Sequence, residues 1–112
     1  MKNSIVLVPF PYDDLSASKV RPAICLTDEI KPYGHVVLAF ITSNISQMPS
    51  SSDLVLNESD FDFVDTGLKV SSTIRLHRLL TISSSTIQRK LGELSETRQG
   101  VLKEKLRNLF NI

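Results

Sequence analysis

Tryptophan is absent from this sequence, cysteine occurs once and glycine only four times. The lone Cys25 cannot close an internal disulfide. Its place in the apolar run Ala23-Ile24-Cys25-Leu26 fits a small buried thiol better than a nucleophile. With one cysteine and two histidines, no structural zinc site of ordinary ligand spacing can be assembled. A glycine-rich phosphate loop and a Gly-x-Ser-x-Gly elbow are also missing. The N-terminal apolar stretch runs only from Ile5 to Val8 before Pro9, too short for a signal-peptide core or a bilayer span. Charge of one sign is lacking too: 13 basic and 12 acidic side chains leave a net charge of +1, so any nucleic-acid site must come from local clustering. These absences predict a cytoplasmic chain with no cofactor, no metal and no membrane association.

What remains is enough for one packed domain over residues 1–112. A chain of 112 residues buries roughly two-thirds of its unfolded surface, and 41% hydrophobic residues argue for a core over disorder. No internal repeat is present. Ile5 to Val8 is a β-branched strand stopped at Pro9. Residues 11–20 carry turn formers with little apolar period and are expected to form a surface loop. Pro22 forces Arg21 into an extended conformation and opens a second strand, Ala23 to Thr27. After a turn at Lys31-Pro32-Tyr33-Gly34, Val36 to Ile41 is wholly apolar, as in a strand buried on both faces. Ser46 to Ser52 is a loop, and Leu54-Val55-Leu56 a short strand. Residues 57–67 are acidic and irregular, with Phe61 and Phe63 as expected anchors. Thr73 to Ile82 is the longest strand expected, and Ile87 to Leu94 the last.

From Ser95 the apolar period lengthens: Leu102, Leu106 and Leu109 stand at helical spacing with Val101 and Phe110 beside them. Ser95 is placed to cap that helix, Glu96 suits its positive end, and Gly100 weakens its interior. The expected class is therefore mainly β with a C-terminal helix: five to seven short strands in a small, partly open barrel with the helix laid against it.

Chemistry is confined to arginine, threonine and histidine at strand ends. On the Thr73–Ile82 strand, simple alternation puts Ile74, Leu76, Leu80 and Ile82 on one core face, and Arg75 with His77 on the other. A guanidinium can grip a phosphate in two places and an imidazole can move a proton near neutral pH. The same spacing also suits an exposed Arg and His on a solvated face. Lys19 and Arg21 sit at a strand entrance fixed by Pro22, and Thr42 leaves a hydroxyl at the rim of an apolar strand. Taken singly, each is ordinary surface or turn chemistry, and Arg89-Lys90 reads as a solvated strand face.

Taken in order, the motifs resemble the MazF/PemK family of toxins. Ile5 to Phe10 resembles its first strand. Arg21-Pro22-Ala23 followed by Ile24-Cys25-Leu26 resembles its Arg-Pro-Ala strand. Val36 to Ile41 with Thr42-Ser43 resembles its apolar strand ending in Ile-Thr-Ser. Gly67-Leu68, Ser72 to Leu76 and Arg89 to Ser95 resemble the Gly-Leu, the long strand and the last strand. The resemblance implies an SH3-like barrel, a homodimer, a cognate antitoxin partner and metal-independent cleavage of single-stranded RNA. It implies catalytic roles for Arg21 and Thr42, and for Arg75 on the later strand. His77 stands where the plasmid branch of the family has aspartate, so it is expected to act as base or phosphate contact. Lys19, Ser43, Asn44 and Arg78 are expected to bind substrate. Asn3-Ser4 replaces the family's usual Gly-Asp or Gly-Glu start, and Leu15 to Lys19 lacks the family's loop glycine.

Two other readings use a similar barrel. CcdB-like gyrase poisons share it, but depend on a C-terminal tryptophan that is missing here. A non-catalytic SH3-like binding module would need an aromatic-lined groove, for which two tyrosines and five phenylalanines, mostly beside apolar strands, are poor material.

Overall fold

A computed structural model of the chain describes residues 1–9, 19–45 and 48–112. Within them, the strands in chain order are β1 (Ser4–Pro9), β2 (Val20–Cys25), β3 (His35–Thr42), β4 (Asp53–Leu56), β5 (Ser72–Ser83) and β6 (Arg89–Glu93), followed by helix α1 (Glu96–Phe110). Short 3₁₀ turns at Phe63–Thr66 and Ser84–Thr86 flank β5. The strands form one curled antiparallel sheet in the order β4-β5-β3-β2-β1-β6, a half-barrel. The expected loop over residues 11–20 lies almost wholly outside the described residues, as do Ser46 and Gln47 of the next one.

Both faces of the sheet are apolar. One cluster joins Ile5, Ile24, Ala39, Ile41 and Ile74 to Leu94 and to Leu102 of α1. The other, on the opposite face, is built from Val6, Val8, Ala23, Cys25, Val36, Leu38 and Phe40. Two-sided burial explains why β3 reads as a continuous apolar run rather than an alternation. Burial also pushes the Cys25 thiol above its ordinary pKa, in keeping with a packing role.

Simple alternation fails on β5. Its register against β3 runs regularly from His35↔Ser83 to Ala39↔Leu79, then jumps to Phe40↔Arg75. Leu76, His77 and Arg78 are thus extra residues on β5. An odd number of them reverses which face each later side chain meets. Ile74 and Leu76 therefore join the first cluster, whereas Leu80 and Ile82 pack on the second. The strand from Ala23 also begins earlier than expected, at Val20, and takes Pro22 inside it opposite Leu7 of β1.

Helix α1 is held by polar contacts at its start as well as by its apolar stripe. Ser95 caps it, accepting from the Arg98 backbone N–H at 3.3 Å while its hydroxyl donates to Asp62 at 2.6 Å. Arg98 pairs with Asp60 and, at 3.3 Å, with Asp62, and it also donates to the Val55 carbonyl at 3.3 Å. Turning Asp60 and Asp62 inward throws the residue between them outward: Phe61 is 88% exposed and anchors nothing, while Phe63 packs on the core. Of the expected stripe only Leu102 is buried and Leu106 half-buried; Val101, Leu109 and Phe110 are exposed, so the stripe outruns the surface it packs on. Full burial of one leucine contributes about 1.5–3 kcal/mol. That exceeds the roughly 0.5–1 kcal/mol that Gly100 costs the helix.

Two outcomes follow. A Cβ at Gly100 would meet no atom within 4 Å, so Gly100→Ala raises unfolding free energy by about 0.5–1 kcal/mol, read as a higher urea midpoint at unchanged slope. A lower midpoint contradicts this placement. The hydroxyl of Ser95, and secondarily Arg98, lowers the Asp62 pKa below 3.8. The stabilisation is therefore complete above that value and lost as pH falls through the folded-state pKa. Asp62→Asn gives a lower urea midpoint at neutral pH and a flatter acid limb; a parallel limb would show that Asp62 does not govern it.

Candidate functional site

Two irregularities meet at Phe40 of β3. On one side, the β2–β3 ladder ends at the pair Ala23↔Phe40. The next residue on β2 is Pro22, which has no N–H to continue it. On the other side, the three extra residues of β5 enter between Ala39 and Phe40. The C-terminal end of β3 is thus released from regular pairing on one edge and displaced on the other. A cleft of about 790 Å³ opens there, within the roughly 300–1,000 Å³ usual for ligand sites.

The strands supply its walls. Arg21 is paired with Val8 of β1, so it points to the Val8 face. Extending the β2–β3 register by two residues matches Arg21 with Thr42, which is itself paired with Thr73 of β5. Arg21, Thr42 and Arg75 all line the cleft, and so do Ser43, Asn44 and Arg78. The Thr42 hydroxyl oxygen is fixed by the Asn44 backbone N–H at 3.1 Å. The far wall is the segment Gly67 to Val70. Gly67 takes a left-handed φ of 70°, and a Cβ on it would lie 2.0 Å from the Leu91 carbonyl oxygen. A Cβ on Gly92 would come 2.2 Å from the Asp65 carbonyl oxygen. This mutual close approach presses the Phe63–Thr66 turn onto β6 and sets Leu68, Lys69 and Val70 against the cleft.

The electrostatics are one-sided. Arg21, Lys69, Arg75, Arg78 and Arg89 line the cleft, and no aspartate or glutamate does, among the described residues. In a chain of net charge +1, this is strong local segregation. The arrangement suits a polyanion, whose phosphates would be gripped by guanidinium forks beside a fixed hydroxyl.

Of the eight residues expected to act, six line the cleft. Lys19 is exposed just before β2 and His77 is exposed on the β5 insertion; neither is among the lining residues. Arg89 and Lys69 line it without having been expected to. Arg89 is exposed, as a solvated strand residue should be, but its pairing with Leu7 carries it to the rim. Its neighbour Lys90 turns to Glu93 at 2.5 Å instead. Lys69 could have been suspected only from the turn that Gly67 demands. Among the described residues no three metal-ligating side chains gather in one place, and no helix is long and apolar enough to cross a membrane.

The architecture is that of known toxins. The Mycobacterium tuberculosis toxin MazF-mt6 superposes with a TM-score of 0.73 at 22% identity, over 97% of this chain and 97% of that one. An endoribonuclease in complex with its cognate antitoxin, from a mycobacterial species, gives 0.75 at 11% identity over 100% and 95%. A MazE–MazF structure from Deinococcus radiodurans gives 0.74 at 15% over 99% and 95%. These likenesses confirm the fold anticipated from the motifs. A search of curated protein sequences gives no match. The family of PemK-like, MazF-like toxins of type II toxin–antitoxin systems matches residues 1–110. Matched over nearly its whole length and folded as those toxins are, the chain belongs to the PemK/MazF toxin family of type II toxin–antitoxin systems.

Proposed function

We propose that this toxin is a metal-independent endoribonuclease that cuts single-stranded RNA in the cleft at the end of β3. The observation that carries the reading is the cleft itself: five cationic side chains and no carboxylate among its described lining residues, with Arg21 and Thr42 on its walls. The 2′-hydroxyl of one nucleotide attacks the adjacent phosphorus, the bond from phosphorus to the 5′ oxygen breaks, and a 2′,3′-cyclic phosphate and a 5′-hydroxyl result. No water is consumed.

Negative charge grows on the phosphoryl oxygens as the pentacovalent phosphorane forms. Arg21, at the cleft wall, stabilises that charge more than it stabilises the starting diester, which is the condition for acceleration. Arg75 grips the same phosphate from the β5 side. Thr42, its oxygen already anchored by Asn44, can take the 2′ proton while giving its own to a phosphate oxygen, from which a proton passes to the departing 5′ oxygen as its bond to phosphorus breaks. Ser43, Asn44 and Arg78 extend the contact along the strand. Exposed on the insertion between Arg75 and Arg78, His77 is assigned a phosphate of a flanking nucleotide rather than the proton of the attacking hydroxyl. Lys19, at the entrance to β2, contributes to capture of the polyanion.

The one-sided charge also fits the partners. The mycobacterial and Deinococcus relatives were solved with their antitoxins. An acidic antitoxin segment laid in this cleft would compete directly with RNA. The active form is taken to be a homodimer, and the protein to act in the cytoplasm.

Arg21→Ala should lower the single-turnover rate of RNA cleavage by about 10²–10³-fold, the usual effect of removing one such donor. Wild-type rates in a folded Arg21→Ala protein would remove the assignment. For His77→Ala the expected result is a raised KM with an unchanged pH–rate profile; loss of one limb of that profile would instead make His77 the base.

A further inference from the structure

The β4–β5 ladder sets Asp53 directly opposite Arg75, and the β3–β5 ladder sets Phe40 on the other side of Arg75. Directly paired residues share a face, with Cβ atoms about 4.5–5.5 Å apart. The next pair, Leu54↔Ile74, belongs to the helix-side cluster, so Asp53 and Arg75 both point to the face on which the cleft opens. Asp53 is only 7% exposed and is not one of the residues lining the cleft.

Its carboxylate is half used. Oδ2 accepts from the Ser50 backbone N–H at 3.1 Å. Oδ1 is buried without a hydrogen-bond partner, and so is Nε of Arg75 across the ladder. A buried charged acceptor and a buried charged donor are each costly to leave unmatched. Here they lie on neighbouring positions of one sheet face, opposite in charge and complementary in hydrogen-bonding sense. Meanwhile Arg75 reaches the cleft, which its buried Nε does not prevent, because a guanidinium carries donors on two edges.

Resting on the reading of the cleft as an RNA-cleaving site, we propose that Asp53 is the positioning residue for Arg75. One water bridges them, accepting from the Arg75 Nε–H and donating to Asp53 Oδ1. This fixes the guanidinium plane and leaves the two terminal amino groups free to grip a phosphate together. An arginine held from behind loses less side-chain freedom when substrate arrives, and its fork meets the phosphoryl oxygens in one orientation. Asp53 acts through Arg75 and touches no reacting atom.

The test uses the full chain labelled with ¹⁵N. The Arg75 Nε–H resonance is identified by its loss in Arg75→Lys, and its exchange with solvent is measured in wild type, Asp53→Ala and Asp53→Asn. Slow exchange in wild type, at least about tenfold faster in Asp53→Ala and intermediate in Asp53→Asn, is expected for a contact that an amide oxygen partly restores. Fast exchange in wild type, or exchange untouched by Asp53→Ala, overturns the contact whether or not the protein cleaves RNA. Cleavage of a single-stranded oligoribonucleotide then tests the role. Asp53→Ala should lower kcat/KM roughly tenfold in the wild-type background and not at all in Arg75→Lys, within the coupling that contacting residues show. Equal losses in both backgrounds would make Asp53 merely structural. An inactive wild type would defeat the nuclease reading while leaving the exchange result to stand or fall alone. Urea midpoints identify any variant lost to unfolding, and Asp53→Asn, which retains one acceptor oxygen, carries the comparison if Asp53→Ala does not fold.

Discussion

The missing backbone donor of Pro22 is the constraint on which the cleft depends. A strand between two others normally hydrogen-bonds along its whole length, and β2 does so with β1 as far as Pro9↔Val20. Toward β3 it stops at Ala23↔Phe40, one residue short of the proline, so no unsatisfied acceptor is created by forcing the ladder further. The same Phe40 marks where β5 inserts Leu76, His77 and Arg78. A sheet that is regular over Cys25, Leu38 and Leu80 therefore parts at one end, and polar side chains that would otherwise be sheet residues become cleft walls.

Holding that opening in shape falls to the segment between β4 and β5. Its backbone is pinned at one end by Asp60 and Asp62 on Arg98 of the helix, and at the other by the close approach of Gly67 and Gly92 to opposing carbonyls. The helix thus serves the site indirectly: it covers the inner cluster through Leu102 and anchors the acidic stretch that leads into the far wall. Charge is sorted by the same device. Asp60 and Asp62 are drawn toward the helix, and Asp65 keeps its side chain away from the cleft lining, while Lys69 is delivered to it.

Much of this was legible in the sequence. Apolar runs located the strands, and the change of period at Ser95 located the helix and its cap, because local patterning and tertiary burial agree there. Arg21 and Thr42 could be singled out by their motifs, yet nothing in the spacing showed that they share a cleft. That depends on the register between strands far apart in the chain. The insertion on β5 defeated simple alternation for Leu80 and Ile82, since a strand's own sequence does not reveal how many residues its neighbour leaves unpaired. Phe61 departs from its expected anchoring role for a related reason: the ion pairs of Asp60 and Asp62 with Arg98 fix the local orientation and leave the ring between them outside. Arg89 and Lys69 gain their place from tertiary folding alone.

The central claim is that this basic cleft cuts RNA by internal attack of the 2′-hydroxyl. Its most direct test is to incubate purified, antitoxin-free protein with a long RNA in EDTA and determine cut sites and end groups. Cuts at a short recurrent motif, leaving 2′,3′-cyclic phosphates and 5′-hydroxyls, are the predicted result. Intact RNA from a folded protein, or ends bearing 5′-phosphates, would contradict it.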